Sequence, residues 1–484
     1  MARVMSKATA VHQAWLSFPS FLRQRDQVLV LDKWTKGTTP ADADPYAPRN
    51  VTDEYVQLSK VSHTPWLQFI IDAVVQTVAL EGVNAPGASE NLTVYKTWQR
   101  NGWDAKQSAL YRSSMGHGAA FGVAMPGRDP LTGDRMTLMR AVSALRMAVF
   151  YDDPTSPDWP AYAIEADEIP HGFFDGRDGA GWTVQLYDEA AVYYLSCKNA
   201  GTEEGDWTFI SYEEHPAGVT PIRRYANRLD LDGVPSSAIE PLIPLARRID
   251  QDTFDRLIVQ RFGAWKVRYI AGMAKPASED AAIATAMRLR VEDLLISDNK
   301  DTKFGTLDAT DLAGFISARD ADLRDLSAVS QTPPHHMLGL SSNLQAESLA
   351  AAESGLQRKG VEHRTLWGEE HEALLRVTAK MDGNITEARM FDMQCRWRDG
   401  ESRSLSQAAD ALSKLADGLG IPVEMLWERV PNWTDSDSER AKRLIEDGSI
   451  DQLLTALAAQ VAAPPADPNA APPAPVTTNP ATPA

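Results

Sequence analysis

The longest periodic stretch of the chain lies within residues 331–383. A polar loop carries Thr332, Pro333, Pro334, His335 and His336, then Ser341, Ser342 and Asn343. It leads directly into a run where Leu349, Ala352, Leu356, His363, Trp367, Leu374 and Val377 recur, mostly at steps of three and four residues or their sums. No proline interrupts that run. It therefore predicts one helix of some 35 residues, a rod on the order of 50 Å long. Ordinary globular helices span about 8–20 residues. No a/d heptad is sustained, and Ala350, Ala351, Glu353, Glu369 and Glu370 cover the other faces. A rod of this kind points to a large assembly rather than to a coiled coil.

The same reading places other helices before it. Residues 1–50 read as an irregular arm with one helical piece around 11–30. A helix over 64–80 carries Leu67, Ile70, Ile71, Val74, Val75 and Val78 and stops at Gly82. Two more follow at 91–101 and 104–116. Strand patterns then take over at 119–125, 136–151, 161–166, 182–188 and 191–196, separated by turn signals such as Thr132, Gly133 and Asp134. Helices first and strands after predict an α+β arrangement, mainly helical over the whole chain.

A second long apolar stripe runs through Ile239, Leu242, Ile243, Ala246, Ile249, Phe254, Leu257, Ile258, Phe262 and Trp265. Pro241 and Pro244 sit in its early turns, so the unbroken part begins near Pro244. Residues 271–310 lack periodicity apart from a helical piece at 279–288. A helix over 308–330 carries Leu312, Phe315, Ile316, Leu323 and Leu326. Beyond the rod, residues 388–398 read as a strand, and 404–419 and 435–446 as helices. The end of the chain, 461–484, is almost wholly Ala, Pro, Thr and Asn and cannot bury enough apolar area to fold.

Composition narrows the function classes. The formal charge is −18 over 484 residues, which argues against a basic nucleic-acid clamp. It leaves open a surface that DNA slides past without sticking. Cys197 and Cys395 form no metal spacing and read as two structural thiols of a reducing compartment. There is no signal-peptide pattern, and the most apolar run, 66–80, is interrupted by Gln68, Asp72 and Gln76, so no membrane span is expected.

Catalytic patterns are missing. GxxxxGK[ST], HExxH and GxSxG do not occur. Gly116, Gly118 and Gly122 sit between a helix and a strand, the reverse of the order a phosphate cradle needs, so they read as the turn between the two elements. His363, Glu370 and His371 lie two turns apart on the rod and read as packed or interfacial side chains. No catalytic residue, cofactor or metal site is expected.

Several segments, in the same order, resemble tailed-bacteriophage portal proteins, the head-to-tail connectors, of the type found in siphophages of actinobacteria. They are the helix from Pro65 to Val83, the Trp98, Asn101 and Trp103 segment with Met115, Gly116, His117 and Gly118, and the Tyr225, Asn227 and Arg228 lead into the first long helix. The others are Thr332, Pro333, His335, Leu338 and Gly339 with Asn343 and Ser348, and Asp410 with Leu412. The order of elements matches too: two long helices around an insert, a short polar loop, a rod and a helical end. The resemblance covers roughly residues 25–450.

That resemblance implies a ring of about twelve subunits at one capsid vertex of the virion. Its channel passes double-stranded DNA during packaging and ejection. It also serves as docking platform for the terminase large subunit, the head-tail adaptor and the major capsid protein or scaffold. It implies these regions: an N-terminal arm (1–55), an α+β wing (56–235), a first stem helix (236–270), a clip (271–307), a second stem helix (308–331), a tunnel loop (332–346), a long wing helix and strand (347–399), a helical crown (400–460) and a tail (461–484). Channel-facing candidates are His335, His336 and Asn343 in the loop, and Arg319 and Arg324 interleaved with Asp320, Asp322 and Asp325. Two readings of these residues stay open: spaced, weak contact with DNA, or turn chemistry and a solvated or intersubunit helix face. A soluble multidomain α+β enzyme, or another virion building block, remains the alternative.

Overall fold

The computed structural model describes residues 3–37, 53–86, 91–155, 159–169, 181–198, 201–263, 268–271, 303–306, 312–339, 346–398, 405–427, 430 and 435–446. The chain divides into two compact units, residues 1–400 and 401–484. The fold is α+β and mainly helical.

Unit one opens on α1 (Lys7–Thr35), α2 (Asp53–Ser62) and α3 (Trp66–Val75), then β1 (Leu80–Asn84), α4 (Thr93–Arg100) and α5 (Trp103–His117). The arm expected to be mostly irregular is thus largely a 29-residue helix. Ser6 caps its start by accepting from the Thr9 amide at 3.1 Å. The helix holds its course because Ala10, Ala14, Phe18 and Phe21 recur at three- and four-residue steps and bury against Trp182 and Trp207. Pro19 lies inside it, and the helical piece expected around 11–30 extends to Lys7 and Thr35. The helix expected over 64–80 ends earlier, at Val75, because the last apolar residues of the run, from Leu80, form a strand.

Strands β2 (Ala119–Arg128), β3 (Arg135–Ser143), β4 (Met147–Phe150), β5 (Tyr162–Ile169), β6 (Gly181–Tyr187), β7 (Ala191–Lys198), β8 (Trp207–Glu214) and β9 (Ile222–Ala226) follow. They form two antiparallel sheets, in the orders β3-β2-β9 and β4-β5-β6-β7-β8. The strand expected over 136–151 is therefore two strands in different sheets. β8 and β9 escape the alternation test because β8 is exposed along most of its length and β9 is short.

The chain continues through α6 (Ile243–Gly263), the paired strands β10 (Arg268–Ala271) and β11 (Lys303–Thr306), α7 (Ala313–Ser330), the short α8 (Pro334–Leu338) and the long α9 (Ala346–Met381). The helical piece expected at 279–288 lies outside the described residues. α10 (Ile385–Ala388) and β12 (Gln394–Trp397) close the unit, with β12 antiparallel to β1. Unit two holds α11 (Leu405–Leu419), α12 (Val423–Leu426) and α13 (Asp435–Glu446).

The main core joins α3, α4, α5, β2 and α9. Close approach is bought with glycine at Gly122, where an added Cβ would lie 2.8 Å from both Leu374 and Tyr225. Among the described residues, no helix is long and apolar enough to cross a membrane.

Candidate functional site

The candidate site is the region where α6, α7, α8 and α9 meet. α6 presents Ala246 and Ile249, with Leu242 of the turn before it, on one side, and α7 presents Leu323 and Leu326 on the other, all buried. On the outer edge Arg248 grips both oxygens of Asp322, at 2.7 and 2.5 Å, and lies 3.6 Å from Asp325. This forked pair sets the register of the two helices.

α7 ends by a defined stop. Gln331 takes the left-handed conformation at φ 57°, the one non-glycine residue with positive φ among those described. Its amide donates to Ala328 O at 3.3 Å, and the Thr332 amide donates to Ser327 O at 3.1 Å. Those two bonds are a Schellman pattern built without its usual glycine. Ser327 Oγ donates to Thr332 O at 2.6 Å, which locks the exit. Pro333 and Pro334 then start α8, where a fixed φ and a missing N–H suit the first turn. The loop expected over 332–346 therefore contains a helical turn.

That turn carries the two loop histidines. His335 Nε2 and His336 Nε2 each lie 3.0 Å from Glu353 Oε1, which belongs to the early part of α9. The two rings sit 4.4 Å apart, 70° between planes. The His335 side chain is 10% exposed and that of His336 35%. Glu353 did not figure among the expected site residues; its distance of seventeen residues from His336 gives no sequence signal.

Beside this cluster lies an open groove of about 510 Å³, lined by Arg324, Arg358, Lys359 and Glu362 together with Gln331, Thr332, Pro333 and Pro334. Lys359 is held below its ordinary pKa, first by burial and then by the charge of Arg228. Its ammonium faces the Ser330 carbonyl at 3.4 Å. Of the expected site residues, Arg324 lines the groove. Arg319 turns instead over the Trp66 ring at 5.9 Å and neighbours Asp320 at 4.0 Å. Asn343 lies outside the described residues.

Further along α9 the chemistry changes to a sealed interior. His371 is fully buried, with Nε2 2.7 Å from the Tyr111 hydroxyl and Nδ1 2.9 Å from the Tyr225 hydroxyl. Tyr111 OH also bonds Gln107 Oε1 at 3.2 Å. One proton direction satisfies all four groups: Tyr225 donates to Nδ1, Nε2–H donates to Tyr111, and Tyr111 donates to Gln107. Burial lowers the His371 pKa to about 3, so the ring is neutral. His363, also lowered by burial, donates Nδ1–H to Lys359 O at 2.8 Å, and its Nε2 lies 3.1 Å from Asn227 Oδ1. Glu370 is raised by burial despite a 2.6 Å contact with Arg223 Nε. These three side chains of α9 are core groups with partners; they do not converge on a common point.

The arrangement is a polar, partly basic groove at one place beside a helix whose inner part is sealed from water. The chain matches the phage portal protein family described as SPP1 Gp6-like over residues 20–452. It is 24% identical over 412 residues to the portal protein of Mycobacterium phage D29, covering 80% of each chain. It is 24% identical over 380 residues to the portal protein of Mycobacterium phage L5, covering 75% of this chain and 74% of that one. Among solved structures it is similar to a chain in the neck of a native GTA particle computed with C12 symmetry, at TM-score 0.43 and 12% identity, covering 79% of this chain and 93% of that one. A chain in the neck of an empty GTA particle computed with C6 symmetry has TM-score 0.46 and 13% identity, covering 82% and 90%.

Proposed function

The chain belongs to the SPP1 Gp6-like family of phage portal proteins, and on that premise we propose that its copies close into a ring at one capsid vertex, through which double-stranded DNA is packaged and ejected. The family is structural, and its members are virion components. The observation that carries the reading is the family match over residues 20–452, which takes in α6, α7, α8 and α9 together.

In this reading 56–235 and 347–399 form the wing, 236–270 and 308–331 the stem, 271–307 the clip, 332–346 the tunnel loop and 400–460 the crown. The ring has about twelve subunits. The terminase large subunit, a head-tail adaptor and the capsid protein or scaffold dock on it. Ile316 and Val329 on α7 and Val361 on α9 are 48, 64 and 55% exposed in the single chain. Apolar side chains left to water on these helices suit contact with a neighbouring copy.

DNA transit needs contact without capture. Phosphate affinity comes mainly from Lys and Arg. A chain of net charge −18 with a few cations around one groove keeps that affinity low. Arg324 is the strongest channel candidate among the expected residues, because its side chain is exposed and lines the groove. His335 and His336 face Glu353, and Arg319 lies over Trp66, so these contribute less to any DNA contact.

Native mass spectrometry and negative-stain imaging of the full chain test the reading. A ring of about twelve copies with a central hole is expected. A stable monomer at micromolar concentration, with or without scaffold, overturns it.

A further inference from the structure

We propose that His335, His336 and Glu353 form a binding site for a divalent first-row transition cation of the zinc type, one per chain. The proposal stands apart from the portal reading, since it needs only residues of a single copy.

The observation is convergence. Neighbouring residues of a helix point about 100° apart, so adjacent histidines ordinarily diverge. Here both Nε2 atoms come to the same oxygen, Glu353 Oε1, at 3.0 Å each, and the three donor atoms all lie within 4.8 Å of one another. Zinc bonds to His nitrogen and carboxylate oxygen measure about 2.0–2.2 Å, which puts tetrahedral donors roughly 3.3 Å apart. An ion fits between the three donors once the contacts to Glu353 open by a few tenths of an ångström and the two Nε2 atoms, within 4.8 Å of each other, settle at the same spacing.

The donor set has the right chemistry. Two imidazoles with one carboxylate suit zinc and its first-row neighbours, whereas calcium and magnesium prefer all-oxygen shells. Three protein ligands leave a fourth position for water or another group. Both elements that supply donors are anchored: Met337, between the histidines and the end of α8, is buried in the main core, as is Leu356, one turn beyond Glu353. The site therefore does not need to be built from loose side chains. Its structural effect is to pin α8 onto α9, joining the exit of α7 to the long helix.

The competing account is an ordinary ion pair in which one carboxylate accepts from two ring N–H groups. Metal titration separates the two. Untagged full-length chain, stripped with chelator, is titrated with Zn2+ by calorimetry, and with Co2+ by visible absorption. The proposal expects one high-affinity equivalent per chain and cobalt ligand-field bands. His336→Ala and Glu353→Gln each weaken binding by at least about 10–100-fold, the range that mere second-layer substitutions reach. Far-UV circular dichroism confirms that each variant is folded, and His12→Ala, an exposed histidine elsewhere, leaves binding unchanged. Absence of a stoichiometric site overturns the proposal, as does a site that survives both substitutions. Neither result bears on ring formation, which the imaging experiment reads separately.

Discussion

The two parts of α9 teach opposite lessons about the same helix. From Leu356 onward it carries Trp367, His371, Leu374, Leu375 and Val377 into the main core, nearly all of them closed to water. Near its start, Glu353 and Arg358 face the groove side, beside α8. In the interior part every polar atom of His371 finds a partner, so charge is excluded and geometry is rigid. In the outer part Glu353 stays partly open to water and is shared by His335 and His336, while Arg358 lines the groove.

The sharpest way to break the comparison is Trp367→Ala. Trp367 is fully buried, stacked on Tyr111 at 4.3 Å with 2° between planes, and donates Nε1–H to Ala226 O at 3.1 Å. A cost of about 3–5 kcal/mol is expected, read as a lower urea midpoint. A cost below 1 kcal/mol would mean that the inner part is not the anchor.

Acid should loosen the same region. His371 has a folded pKa of about 3, below the ordinary value of 6.5. Above that ordinary value neither state is protonated there, and the contribution is fully present. As pH falls from about 6.5 towards 3, the unfolded chain binds a proton that the folded chain refuses, so stability drops by roughly 1 kcal/mol per pH unit from this group. His117, His215 and His363 are also lowered by burial and act in the same direction. Unfolding curves between pH 7 and 5 should therefore show a steep loss, and His371→Gln should flatten it by about one proton. An unchanged slope in that variant would remove His371 from the account.

Smaller effects belong to the outer part. Gln331→Gly relieves a left-handed non-glycine residue and should stabilise by about 0.5–1 kcal/mol, measured by thermal melting. Arg324→Ala should change stability by no more than about 0.5 kcal/mol, while lowering the salt slope of DNA binding by about one counterion. A salt slope that does not move would take Arg324 out of the channel.

Much of this was legible in the chain itself. The apolar recurrence around Leu356, Trp367 and Leu374 predicts the rod, and the structure has it as Ala346–Met381. Pro244 predicts the start of α6, which begins at Ile243 after a short 3-10 turn. The helical piece expected around 11–30 is there, but α1 extends past it at both ends, and the burial of Ala10, Ala14, Phe18 and Phe21 makes sense only against a sheet more than a hundred residues away. β1 overlaps the helix expected over 64–80 at Leu80, because Leu80 continues the apolar run that begins at Trp66. Its partner, β12, comes from residues 394–397, and pairing at that distance leaves no local mark.

By itself the sequence determined the period of each element, the acidic balance, the lack of a catalytic pattern and the order of segments that marks the family. Those are properties of neighbours along the chain, where spacing alone decides which face is apolar. Only the tertiary structure decided that His371 is sealed between two tyrosines, that Arg319 turns to Trp66, and that His335 and His336 converge on Glu353. Each of these depends on how separate elements dock, and docking is set by packing over the whole unit rather than by any local run of residues.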